Sequence, residues 1–132
     1  MLNKWEDGLL DYTQEDNKMR PRSVCISSIL SLSTTGKNVA VLFGGEVDPS
    51  DRGHEGAGGF TNDIVFLDGS LGKVIQTTNA PSSDMWPKSR GWSAGDVSST
   101  HNECKLFIFG GLTGDDTAPR RLDDLWECTF KL

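Results

Sequence analysis

The sequence predicts an all-β chain that contains one unit twice. The string LFGG at residues 42–45 recurs as IFGG at residues 108–111, and each copy ends a short apolar run. These runs are too brief for helices and are rich in Val, Ile, Leu and Phe, which is typical of buried strands. No window keeps a 3.6-residue apolar period, so little or no helix is expected. Internal repetition therefore governs the prediction of the fold.

Three strands are predicted in each copy, and a fourth only in the first. In the first copy they are Val24–Leu30, Asn38–Phe43, Asp63–Leu67 and, after the Asp68-Gly69 turn, Lys73–Thr78. In the second copy they are Trp92–Ser98, Lys105–Phe109 and Asp124–Phe130. Each copy is therefore expected to form an antiparallel meander, with the Gly pair where another backbone comes close.

The residues that flank the glycine pairs repeat as well. An arginine precedes each first strand, Arg22 and Arg90, at an offset of 68 residues. An aspartate opens each third strand, Asp63 and Asp124, at an offset of 61 residues. The offset shrinks because the loop after the second strand is longer in the first copy.

Charge and composition exclude several functional classes. Residues 1–45 carry five Lys/Arg and five Asp/Glu, whereas residues 46–132 carry eight and fourteen, so the net charge of −6 lies in the second part. Binding to nucleic acid needs clustered Lys and Arg, and the only adjacent basic pair is Arg120-Arg121. No apolar stretch approaches the ~20 residues that span a bilayer. We therefore expect neither nucleic acid nor a membrane as a partner.

The cysteines and the N-terminus point to a reducing compartment. Cys25, Cys104 and Cys128 are odd in number and form no C-x-x-C motif, which argues against a disulfide framework or a structural zinc site. The N-terminal residues turn acidic where a secretion signal would turn apolar. A cytoplasmic chain is the expectation.

The Gly44-Gly45 and Gly110-Gly111 pairs, with Trp126 after the second, resemble the kelch repeat. The resemblance covers residues 21–132 and implies an all-β kelch β-propeller fragment of about two blades of antiparallel four-stranded sheet. The first sequence copy departs from the kelch pattern, because Val74 or Ile75 stands where a Trp is expected.

The resemblance also implies boundaries. Residues 21–79 would form one blade with a long acidic, Gly-rich loop, and residues 80–132 a second blade that lacks its fourth strand. Residues 1–20 would be the end of a preceding blade or a linker. Propellers close with typically 4–8 blades. The chain is therefore expected to be part of a longer propeller, to assemble with copies of itself, or to be a degenerate remnant.

The long loop of the first copy gathers candidate metal ligands. Glu46, Asp51 and His54 offer carboxylates and an imidazole, the ligands expected of a non-haem Fe(II), Mn or Zn site. Asp48 is an alternative to Asp51 as the middle ligand. By composition alone, acidic residues with Gly and Pro are equally typical of a solvated loop.

The string of Gly-Gly-Glu-Val, Asp-Pro and His-x-Gly-x-Gly is similar to the kelch propellers of nitrile- and thiocyanate-specifier proteins and their fungal relatives. That resemblance implies an iron-dependent activity that turns glucosinolate aglycones into nitriles, with ligands in the pattern Glu-x-x-x-Asp-x-x-x-His. Glu46 and His54 match its first and last positions, and Ser50 stands at the middle one.

The sequence predicts two alternative functions. The first is a binding scaffold for a protein partner or a small anionic ligand, without catalysis by this segment alone. The alternative is the iron-dependent specifier activity, with Fe(II) as cofactor. Arg22 and Arg90 are candidate ligands of an anion through forked hydrogen bonds, or else form structural salt bridges with acidic residues.

Overall fold

A computed structural model describes residues 19–32, 35–70, 73–78, 85–100 and 103–130. This part of the chain contains strands and one 3-10 turn, Gly53–Glu55, and no α-helix. The all-β prediction is therefore confirmed. The strands are β1 (Ile26–Leu32), β2 (Lys37–Phe43), β3 (Glu46–Asp48), β4 (Gly59–Phe60), β5 (Ile64–Asp68), β6 (Val74–Thr78), β7 (Ala94–Ser99), β8 (Cys104–Thr113) and β9 (Arg120–Phe130).

The strands form three antiparallel sheets that follow the sequence repeat. The first sheet has the order β1-β2-β5-β6, and the second sheet has the order β7-β8-β9. A two-stranded sheet, β3-β4, lies inside the long loop of the first copy. Apart from that insertion, neighbours in each sheet are consecutive in the chain, as expected for a meander.

The first strand of each main sheet begins two residues later than the sequence predicts. Val24 and Trp92, the first residues of the predicted strands, have positive φ values of 50° and 53°. This left-handed conformation costs a non-glycine residue energy and ends the extended geometry that a strand needs. The strands therefore start at Ile26 and Ala94.

The second strand of the second copy is longer than predicted. β8 continues through Gly110-Gly111 to Thr113 and pairs with β9 on both sides of a bulge after Phe109. In the first copy, β2 stops at Phe43, before Gly44-Gly45. The glycine pair therefore ends a strand in one copy and bends a continuous strand in the other.

The hydrophobic core lies between the first and second sheets. On β2 every second side chain, from Val39 to Phe43, is buried. A hydrogen bond of 2.5 Å from Ser28 Oγ to Asp96 Oδ1 joins the first strands of the two sheets. The buried core consists of Ile26, Leu30, Val39, Val41, Phe43, Ile64 and Phe66 of the first sheet and Cys104, Leu106 and Ile108 of the second.

Some predictions concern residues outside the described part. Apart from Met19 and Arg20, the predicted blade end or linker at residues 1–20 lies there.

In the described ranges, no helix is long and apolar enough to cross a membrane. The cysteines at 25, 104 and 128 carry free thiols.

Candidate functional site

Arg22 makes the first of two matching ion pairs. Its Nη1 and Nη2 donate to the two carboxylate oxygens of Asp63 over 2.7 and 3.0 Å. Nη1 also donates to the carbonyl of Gly44 over 3.0 Å. One guanidinium thus ties the segment before β1 to the glycine pair and to the start of β5.

Arg90 makes the same contacts in the second copy. Its Nη1 and Nη2 donate to Asp124 over 2.6 and 2.9 Å, and Nη1 donates to the carbonyl of Gly110 over 3.0 Å. The hydrogen bonds from Arg90 lower the pKa of Asp124 from 3.8 to about 2, against an opposing effect of burial. Trp126 Nε1 adds a hydrogen bond of 2.7 Å to the same carboxylate.

The glycine pairs make room for these contacts. Gly44 and Gly45 have φ values of 66° and 102°, and Gly110 and Gly111 have values of 60° and 105°. Only glycine adopts this region without steric cost. A Cβ atom on Gly44 would also lie 2.6 Å from the carbonyl oxygen of Arg90. The repeated sequence string therefore encodes a repeated backbone conformation.

The two arginines are thus engaged in internal salt bridges, the second of the two roles predicted from the sequence. Both side chains are buried, at 3% exposure for Arg22 and 0% for Arg90. An external anion would have to displace a carboxylate that binds each guanidinium at two points. Anion binding at these residues stays a prediction.

Two acidic residues of the long loop that are candidate metal ligands, Glu46 and Asp48, have different hydrogen-bond partners. Glu46 Oε1 accepts a hydrogen bond of 3.1 Å from the Gly58 N–H, within the loop. Asp48 pairs with Arg20 over 2.6 Å, and both side chains are largely exposed. Asp51 is exposed to solvent. The His54 side chain lies outside what the structure describes.

No three His, Cys, Asp or Glu side chains in the described ranges form a group that could hold a metal ion. Ser50, at the middle position of the specifier pattern, donates a hydrogen bond of 2.6 Å to Asp116. Because the His54 side chain is not described, the Glu46, Asp51 and His54 site stays a prediction.

Asp116 is the site residue that the sequence did not reveal. Its Oδ1 accepts hydrogen bonds from Ser50 Oγ over 2.6 Å and from the Ala57 N–H over 2.9 Å. The bond from Ser50 is the main cause that lowers the pKa of Asp116. Asp116 therefore ties the loop at residues 49–58 of the first copy to the loop at residues 114–119 of the second.

These two segments are called the rim loops below. Each follows the second strand of its unit and the glycine pair, so both lie at the same end of the two sheets. A repeat-based alignment would have indicated this, since Ser50 and Asp116 are 66 residues apart, like Gly44 and Gly110. A single aspartate in an acidic loop gives no such signal by its type alone.

Two of the three cysteines, Cys104 and Cys128, are affected by burial. Burial raises the pKa of Cys104 and of Cys128, which favours the neutral thiol over the reactive thiolate. Cys104 is buried in the core.

No protein-family model matches this chain. The kelch resemblance therefore continues to depend on the glycine pairs and Trp126. What the chain does is inferred from its own geometry, chiefly the duplicated ion pair and the joined rim loops.

Proposed function

We propose that the chain is a kelch-type binding scaffold, a two-unit part of a β-propeller whose rim loops bind a protein partner. The observation that carries this proposal is the bond network of Asp116, which joins the loops of two successive units. Binding residues are often found on loops that a rigid scaffold positions. The duplicated ion pairs of Arg22 and Arg90 supply such a scaffold below the rim loops.

The rim loops are ordered by internal bonds before any partner arrives. Besides the bonds to Asp116, the Arg52 N–H donates to Ser50 Oγ over 3.0 Å. In the second rim loop, Asp115 accepts hydrogen bonds from Thr117 and from the Ala118 N–H. Preorganised loops lose less conformational entropy on binding, which favours a recognition surface.

The charge on this surface favours one class of partner. Asp51, Glu55 and Asp115 are exposed, and Arg52 is the one Lys or Arg in the sequence of the two rim loops. Asp48 lies beside them but already pairs with Arg20. An acidic surface attracts basic side chains and repels small anions. A protein partner with a basic patch is therefore the proposed occupant, in preference to a small anionic ligand.

The iron-dependent specifier activity is the alternative from the sequence. Its support is the sequence resemblance at Glu46 and His54. Among the described side chains, no group of ligands converges on a position where a metal ion could bind. Fe(II) titration of the chain and of His54→Ala separates the two proposals. Equal iron affinity in both proteins is expected for a scaffold, and affinity that the substitution removes would favour the alternative.

A comparison of interaction partners tests the scaffold proposal. The chain would serve as bait together with an Asp51→Lys/Glu55→Lys variant, and captured proteins would be quantified by mass spectrometry. Lys37→Glu, at the opposite end of β2, is the matched control for a change of charge. We expect a partner that the control retains and the rim variant loses by about tenfold or more, a difference of about 1.4 kcal/mol. If the rim variant captures the same proteins in the same amounts as the control, the proposal is wrong.

A further inference from the structure

The apolar cross-strand pair Phe43 and Ile64 has an exposed counterpart in the second sheet. Phe43 pairs with Ile64 across β2 and β5, and Phe109 pairs with Leu125 across β8 and β9, at the offsets of the repeat. Phe43 and Ile64 are 1% and 3% exposed, because they face the second sheet. Phe109 and Leu125 are 53% and 70% exposed. In the part of the chain that the structure describes, the second sheet therefore leaves exposed the face that corresponds to the packing face of the first sheet.

The complementary face is also present in the chain. Leu106 and Ile108 of β8 are fully buried against the first sheet, and Val97 of β7 packs beside them. At the repeat offsets, their counterparts in the first sheet are Ala40, Leu42 and Ile29. Ile29 pairs with Ala40, as Val97 pairs with Leu106. Ile29 is 69% exposed, and Ala40 and Leu42 are partly exposed, so this second face is accessible in part.

The segment that leads into the second sheet shows how one unit joins the next. The Gly45 N–H donates to the Arg90 carbonyl over 2.8 Å, and the Trp92 N–H donates to the Val24 carbonyl over 2.9 Å. The edge of one ring meets the face of the other between Phe60 and Trp92, with centroids 6.0 Å apart. The segment from Arg90 to Trp92 thus occupies a corner of the first unit.

The equivalent corner of the second unit is a cavity of about 290 Å³. It is lined by Trp92, Gly111, Leu112, Arg121 and Leu122. Among these, Trp92 and Gly111 are the counterparts of Val24 and Gly45, which receive the Arg90 segment in the first unit. The chain holds a matching segment in residues 22–24, which precede β1 as residues 90–92 precede β7.

We infer that the end face formed by Phe109, Leu125 and this cavity binds the first unit of a second copy of the chain, head to tail. In this interface, residues 22–24 of the second copy enter the cavity. Its Ile29 and Leu42 pack on Phe109 and Leu125. The contact continues the interface that already joins the two units within one chain, and it buries an apolar pair that water otherwise covers.

Such an interface is heterologous, because different surfaces of the two copies meet. Successive head-to-tail contacts close into a ring if the rotation between units allows it, and propellers close with typically 4–8 blades. The end-face residues Phe109, Leu125 and Ile29 lie outside the rim loops. A rim variant is therefore expected to change partner capture, whereas an end-face variant is expected to change self-association.

Sedimentation velocity across a wide range of protein concentrations tests the inference. The full chain is expected to sediment as species larger than a monomer, in proportions that rise with concentration. Phe109→Asp and Ile29→Asp are each expected to be monomers, because each places a charge in one half of the interface. Met85→Asp, at an apolar residue of the connector that is 82% exposed, is the control and should associate like the unmodified chain.

A mixture of the two monomeric variants tests whether the contact is head to tail. Phe109→Asp keeps the Ile29 face and Ile29→Asp keeps the Phe109 face, so an equimolar mixture should form a heterodimer that grows no further. Circular dichroism of each variant checks that its sheet content is unchanged. If the unmodified chain is a monomer at every concentration, the inference is wrong. The exposed face would then fit a further unit of a longer polypeptide. A mixture that stays monomeric would also overturn the inference.

Discussion

Arg90 holds Asp124 with two parallel hydrogen bonds, and Trp126 donates a third bond to the same carboxylate. The two bonded residues are 34 positions apart, whereas Arg22 and Asp63 are 41 apart. The longer loop between the glycine pair and the aspartate of the first unit accounts for five of these seven residues, and the stretch between the arginine and the glycine pair accounts for the other two. The same contact therefore closes each unit despite loops of different length.

Loss of the Asp124 carboxylate is expected to destabilise the fold strongly. Asp124→Asn leaves the buried guanidinium of Arg90 without its counter-charge, which costs about 3 kcal/mol of unfolding free energy. Urea denaturation measures the loss. Arg20→Ala is the control, since the Arg20–Asp48 pair is exposed and should contribute less than about 1 kcal/mol. Equal effects of the two substitutions would contradict a structural role of the Arg90–Asp124 pair.

The same pair predicts an acid dependence of stability. The Arg90 hydrogen bonds lower the pKa of Asp124 from 3.8 to about 2, so folding favours the charged carboxylate. The resulting stabilisation is complete above the unfolded pKa of about 4 and is lost as the pH falls towards about 2. Urea midpoints measured across this range should fall less steeply in Asp124→Asn than in the unmodified chain. If the urea midpoints of the two proteins fall equally with pH, the Asp124 carboxylate does not cause the acid dependence of stability.

Alanine substitutions at Gly44 and Gly36 separate backbone strain from steric conflict. Both glycines have similar φ values, 66° and 65°, but only at Gly44 would a Cβ atom meet another backbone, the Arg90 carbonyl at 2.6 Å. Gly36→Ala should cost about 1–2 kcal/mol, from conformation alone. Gly44→Ala should cost about 1–3 kcal/mol more, from overpacking. Thermal unfolding of both variants measures the difference, and equal costs would argue against the close approach of Arg90.

Removal of the Asp116 carboxylate is expected to loosen the first rim loop. The Ala57 N–H donates to the carboxylate of Asp116, and a hydrogen bond to a charged acceptor is stronger than one to a neutral acceptor. Amide exchange at Ala57 should therefore be about tenfold or more faster in Asp116→Ala. Asp51→Ala, in the same loop, should leave this rate unchanged. Unaltered exchange in Asp116→Ala would show that the loop is ordered by other contacts.

Repetition made most of the fold predictable. The string LFGG and its counterpart IFGG marked two β-meanders, and short apolar runs placed the strands within a few residues. The strand starts were misplaced because Val24 and Trp92 adopt positive φ, which these residue types do not indicate. The small sheet of β3 and β4 was missed because Gly59 and Phe60 form too short a run to give an alternating pattern.

The candidate site was less predictable than the fold. Arg22 and Arg90 were identified, and the choice between anion and carboxylate partners needed the geometry of Asp63 and Asp124. Asp116 was missed because its contacts with Ser50 and Ala57 join separate units, and long-range hydrogen bonds leave no local pattern.

Cysteine cross-linking between Ser28 and Asp96 tests whether the two repeated units pack as successive sheets. The Ser28→Cys/Asp96→Cys chain is expected to form a disulfide within one molecule, because the two native side chains are in contact. Peptide mapping distinguishes this bond from any involving the three native thiols. Ser27→Cys/Asp96→Cys is the matched control, since adjacent β1 side chains point to opposite faces. A cross-link in the first pair and none in the second is the predicted result, and equal cross-linking in both, or none in the first, would contradict the packing of the two sheets.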